Sequence, residues 1–198
     1  MGLLLAPQAQ ASWEEAGAVV SDATLQMKQL LVDETLRDES EFQRLYVGVD
    51  QLLSPVVDFN RISRGVMAKH YRNASDEQRQ RFADVFKGTL IKTYSKALTI
   101  FQIADFELIP NPSPSRKKGR EFVRVDVLGT DGQHYLLDYF MVQGDQGWKL
   151  VNVRVDGINL GQVFKRQFAE ALETSKGDID AVIDQWAAMS DPSSQKGS

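Results

Sequence analysis

No cysteine occurs in the chain, which excludes disulfides, thiol catalysis and thiolate metal sites together. Histidine is nearly as scarce. His70 and His134 stand far apart, so a histidine-rich metal centre is not expected. Basic excess is missing too: Lys and Arg total 23 against 27 Asp and Glu, a net charge of −4. Nucleic-acid binders usually carry clustered positive charge, so that class is disfavoured. An acidic chain also avoids adhering to anionic membrane surfaces. No later segment reaches the about 20 apolar residues of a membrane span, so an exported chain reads as soluble. Gly-x-Ser-x-Gly, His-Glu-x-x-His and a phosphate-cradling Gly-rich loop are all absent. The expectation is no enzyme, no metal and no cofactor.

What is present fits one globular domain: 198 residues, 42% hydrophobic and 25% charged. Residues 1–11 read as a signal-peptide remnant, with Ala9-Gln10-Ala11 as the small-x-small site, or as a flexible N-terminus. Residues 12–189 read as a single domain and residues 190–198 as a polar tail.

Ser12-Trp13-Glu14-Glu15 reads as a capping box opening a helix with Val20, Met27 and Leu31 on one face. Helices are expected over Ser40 to Leu53 and over Asp58 to His70, with Asp58 as N-cap. Ser75-Asp76-Glu77-Gln78 opens the strongest helix, whose stripe runs from Phe82 through Phe86, Leu90 and Tyr94 to Phe101. The period then changes. Phe106 to Ile109, Phe122 to Leu128, Tyr135 to Val142 and Trp148 to Val155 alternate and are punctuated by turns, predicting an antiparallel meander. Asn159 to Thr174 and Asp178 to Met189 close the chain as helices. The fold class is α+β: an antiparallel three- to five-stranded sheet packed against several helices.

Arg116-Lys117-Lys118 reads either as a contact for lipid phosphates or an acidic partner, or as a solvated hairpin tip. The aromatic stripe reads either as core or as a ligand-facing wall, because the two look alike in sequence. His70 near a helix end reads as structural.

An ordered set of segments carries a resemblance. Val57-Asp58-Phe59-Asn60-Arg61-Ile62 is followed by Tyr71-Arg72-Asn73-Ala74-Ser75, then by Gln78, Arg79, Phe82, Phe86, Leu90 and Tyr94. Later come Gly147-Trp148-Lys149-Leu150-Val151, Val155-Asp156-Gly157-Ile158-Asn159-Leu160, and Phe164, Arg166, Gln167 and Phe168. Over roughly Ser12 to Met189 the chain resembles the MlaC family of periplasmic phospholipid-binding proteins, the toluene-tolerance family. One departure is Ile158-Asn159 where the family often has Val-Ser; Asn can cap the following helix as Ser does.

The resemblance implies a deep apolar pocket between helices and sheet, filled by the acyl chains of a phospholipid. It implies a carrier in the periplasm of a Gram-negative bacterium that shuttles glycerophospholipids between the outer and inner membranes and so maintains outer-membrane lipid asymmetry. Implied partners are the inner-membrane ABC transporter with its lipid-binding hexamer and the outer-membrane lipoprotein–porin complex. The expected lining comprises Phe59, Ile62, Val66, Phe82, Phe86, Leu90, Tyr94, Val123, Val125, Tyr139, Met141, Val153, Val155, Val163 and Phe164, with Tyr71, Arg72 and Arg154 near the mouth. The alternatives are a small-ligand enzyme on a cone-shaped α+β scaffold, using Asp126 or Asp138, and an interaction module with a solid core. Both aspartates alternate with the valines and are expected to be exposed.

Overall fold

The computed structural model describes residues 6–110, 115 and 117–190, and of residues 6–11 and 190 the backbone alone. Met1–Leu5, the loop residues 111–114 and 116, and the tail after Ser190 lie outside it. The described order is α1 (Ala6–Leu30), α2 (Phe42–Leu53), α3 (Phe59–Met67), α4 (Asp76–Leu98), five strands, then α5 (Leu160–Thr174) and α6 (Ile179–Ser190). Short 3-10 turns cover Glu34–Arg37, Glu39–Glu41 and Ala68–Arg72. No described helix is long and apolar enough to cross a membrane.

Local chemistry sets the helix starts. Ser75 and Gln78 form the reciprocal capping box of α4, with Gln78 N donating to Ser75 Oγ at 3.1 Å and Ser75 N to Gln78 Oε1 at 3.0 Å. Asp58 caps α3 by accepting from Arg61 N at 2.9 Å, and Asn159 caps α5 by accepting from Gln162 N at 3.1 Å. Ser12 departs from expectation. The helix already begins at Ala6, so Ser12 lies inside it, and its hydroxyl donates to Glu121 on the sheet.

β1 (Ile103–Ile109), β2 (Arg120–Gly129), β3 (His134–Gly144), β4 (Gly147–Val155) and β5 (Ile158–Asn159) form one antiparallel sheet in sequence order. β5 stands where the sequence suggests a helix start. The Asp156-Gly157 turn, with φ 48 and φ 85, folds it back on β4. Register fixes the faces. Val123 pairs with Tyr139 and Tyr139 with Val153; Val125 pairs with Leu137 and Leu137 with Val155. These residues share the inner face, as alternation requires. A bulge between Phe140 and Met141 places Leu150, rather than Val151, opposite Met141.

Three separate apolar clusters hold the chain together. The first joins α3 to α6 around Val66, Phe82, Phe86, Phe168 and Trp186. The second packs α1 residues Ala16 and Val20 on Val123, Val125, Val127 and Met141. Gly17 lies in this contact, where a Cβ would stand 3.2 Å from Leu108 Cδ2, so that side chain would have to shift slightly to admit one. The third joins Met27, Leu45, Val49, Ile91 and Leu98.

Candidate functional site

Which helix covers the sheet decides how much of its inner face is buried. α1 lies over β2, burying Val123 and Val125 to 0% exposure. The backbone of α4 packs chiefly on α2, α3 and α6 rather than on the sheet. On the inner face of β3 and β4, Leu137, Tyr139, Val153 and Val155 therefore stay only half-buried. Tyr94 of α4 keeps 38% of its surface exposed, although protein surrounds its hydroxyl. Burial pushes the Tyr94 phenol above its ordinary pKa. Tyr139 is pushed up further, first by burial and then by the charge that Tyr94 would carry. Tyr94 on α4 and Tyr139 on β3 thus lie near enough for the charge of one to act on the other, beside the half-buried inner face of β3 and β4.

The raised pKa values carry a stability consequence. Above pH about 10 the unfolded tyrosines ionise while these two stay protonated in the fold. Their contribution is thus complete below pH 10 and is lost as pH rises beyond it. Denaturant melts at rising alkaline pH should show stability falling more steeply in the parent than in Tyr94→Phe/Tyr139→Phe; equal slopes would contradict this environment.

The expected lining residues fall into groups. Val66, Phe82 and Phe86 are 1%, 0% and 0% exposed, and Val123, Val125 and Met141 are 0%, 0% and 2% exposed. These six are packed wholly against protein. Ile62, Leu90 and Phe164 are half-buried around the first cluster, and Phe59 lies against the third. Val163 on α5 is half-buried, as are Tyr139, Val153 and Val155 on the sheet. Leu137 belongs with them. The alternation that selects Tyr139 and Met141 selects it too.

Tyr71 is elsewhere. It lines a surface concavity of about 860 Å³ along the outer side of α3, with Asn60, Arg61, Arg64 and Arg72. Its ring also packs at the edge of the first cluster. A smaller concavity of about 560 Å³ lies between α1 and α2.

Asp138 is buried, against the expectation from its place on the strand. It does lie on the outer face, but it is 3% exposed rather than open to water. Arg124 Nε donates to it at 2.6 Å and Arg154 Nε at 2.7 Å. Their guanidiniums lie over Phe122, at 5.3 and 5.8 Å from its ring centre, and Arg154 also lies 5.7 Å from that of Phe140. Burial raises the Asp138 pKa, but the hydrogen bonds from Arg124 and Arg154 outweigh it and hold the carboxyl below the ordinary aspartate value. A carboxylate kept ionised across the physiological range is poorly matched to general acid or base work. Arg154, expected near the mouth, is committed to this pair. Asp126, half-buried on the same face, lies 2.9 Å from His134 Nδ1.

The family model for MlaC matches residues 21–188. The chain belongs to the MlaC family. Toluene tolerance protein ttg2D of Pseudomonas putida is 36% identical over 143 residues, an alignment spanning 72% of this chain and 66% of that protein. The chain thus aligns with slightly under two thirds of that relative's length. Among solved structures, a phospholipid-binding protein from Ralstonia solanacearum, in complex with a phospholipid, matches with a TM-score of 0.79 at 26% identity. That match covers 89% of this chain and 97% of the other. The MlaC fold accounts for the six described helices and the five-stranded antiparallel sheet.

Proposed function

We propose that this chain is a phospholipid carrier of the Gram-negative periplasm and not an enzyme. Acyl chains enter the apolar opening bounded by Tyr139, Val153 and Val155 on the sheet, Leu90 and Tyr94 on α4, and Val163 and Phe164 on α5. The buried valines and phenylalanines behind them form the supporting walls. The observation that carries this reading is the half-buried inner face of β3 and β4, left without close cover by α4 in a chain of this family.

The energetics favour a container. Two acyl chains hold about thirty methylenes, at ~0.8 kcal/mol each about 25 kcal/mol of gross burial. Lipid monomer in water is therefore negligible, and crossing an aqueous gap needs a shielded route. A bilayer offers nearly the same apolar environment, so exchange between membrane and carrier runs close to balance. Direction must come from partners: the ABC transporter with its lipid-binding hexamer at the inner membrane and the lipoprotein–porin complex at the outer. Lipid carried between them serves outer-membrane asymmetry.

The test separates donor and acceptor vesicles by a membrane that passes protein but not vesicles. Labelled glycerophospholipid should reach the acceptor only when the protein is present. No transfer above the protein-free rate would overturn the carrier role.

A further inference from the structure

The segment from Phe59 to Ser75 contains no Asp or Glu but holds Arg61, Arg64, Lys69 and Arg72, an island of positive charge in a chain of net charge −4. The fold gathers this island into one concavity. α3 stops at Met67 because Ala68 takes φ 50 and ψ −122, a conformation strained for any residue bearing a Cβ. The 3-10 turn Ala68–Arg72 then brings Tyr71 and Arg72 alongside Arg61 and Arg64, around about 860 Å³ of open space. Gly65 leaves the backbone accessible there, since a Cβ on it would meet nothing within 4 Å.

The arginines that line this concavity have no carboxylate partner among the described residues. Arg79, 4.6 Å from the Tyr71 ring centre, is paired with Asp76 at 2.7 Å. Arg64 stacks on the same ring at 5.1 Å without a carboxylate. Among the described residues no carboxylate pairs with the side chain of Arg61, Arg64 or Arg72. Asp58 is the one acidic residue in the lining, and its Oδ1 already accepts from Arg61 N at 2.9 Å as the helix cap. Asp58, Asn60, Arg61, Tyr71 and Arg72 also sit in the two segments that open the family resemblance, yet an apolar pocket makes no use of the charges on Arg61 and Arg72.

Grouped guanidiniums in a concave site favour phosphate oxygens, which match their planar donor forks. An aromatic ring with a polar tip suits the boundary between headgroups and water. Outside this island the chain carries 19 Lys and Arg against 27 Asp and Glu and is on balance repelled by an anionic bilayer, while these arginines are gathered in one concavity that electrostatics would turn toward it. We propose that the α3 concavity docks the protein on anionic bilayers, with lipid phosphates seated on Arg61, Arg64 and Arg72. The site is distinct from the acyl-chain opening, and binding there does not require that cargo be bound.

Vesicle flotation at low ionic strength tests this, with the protein as purified. Wild type should float with phosphatidylglycerol-rich vesicles and not with pure phosphatidylcholine, and added salt should release it. Arg61→Gln/Arg64→Gln/Arg72→Gln should weaken partitioning about a hundredfold, about fivefold for each arginine. Arg72→Gln alone should lose about fivefold, which keeps the test open if the triple variant unfolds. Lys117→Gln/Lys118→Gln, which changes exposed charge in the β1–β2 loop, should leave partitioning unchanged. Equal flotation of parent and arginine variants would overturn the proposal. So would a parent that ignores phosphatidylglycerol and binds polyglutamate instead. Neither result bears on transfer of lipid between vesicles.

Discussion

Val153→Trp is expected to cut phospholipid retention about a hundredfold while the protein stays folded. Val153 pairs with Tyr139 on the inner sheet face and is only half-buried, so a larger side chain there has an opening to enter. Tryptophan exceeds valine by about the volume of three to four methylenes. Displacing that much acyl chain at ~0.8 kcal/mol per methylene weakens binding by about 3 kcal/mol, which is about two orders of magnitude in affinity. Lipid uptake from vesicles, followed alongside thermal melting, checks it. Undiminished uptake would move the acyl chains away from β4. A collapsed melting temperature would show that Val153 belongs to solid core.

Phe86→Ala is expected to do the opposite: destabilise the fold by about 3–5 kcal/mol and leave the affinity of the folded fraction nearly unchanged. Phe86 is 0% exposed, with ring centres 5.7 Å from Phe82, 5.5 Å from Phe164 and 5.6 Å from Trp186. Removing it leaves a hole inside a tightly packed aromatic cluster, where both lost transfer energy and cavity cost apply. A residue lining an open pocket would instead show a smaller stability loss and a clear loss of lipid. Urea denaturation of the lipid-free protein gives the first quantity, and uptake below the unfolding transition gives the second.

These two residues show where sequence stops. Phe86 and Tyr94 lie on one helical stripe and are indistinguishable by period. The fold sends them to different places, because α4 serves the first cluster through Phe82 and Phe86 and the third through Ile91 and Leu98, with Tyr94 left between. That division depends on how neighbouring helices cross, which period alone does not encode.

Elements with local causes are legible. Ser75 with Gln78, Asp58 and Asn159 cap helices where the sequence says they do, because a cap acts within three residues. Alternation assigns the faces of β2, of β3 and of β4 from Asn152 onward, where no bulge interrupts the parity. Long-range effects are not legible. Ser12 looks like a cap but bonds Glu121, 109 positions away. Asp138 has the parity of an outward residue, yet Arg124 and Arg154 on the adjacent strands close over it. The bulge that brings Leu150 opposite Met141 leaves no mark in composition.

Whether the protein carries lipid is decided by native mass spectrometry of the protein as gently purified from a Gram-negative host. The expected spectrum is a protein mass accompanied by added masses that match glycerophospholipids and are released by organic extraction. Protein that carries no lipid, and takes up none from vesicles, would contradict it.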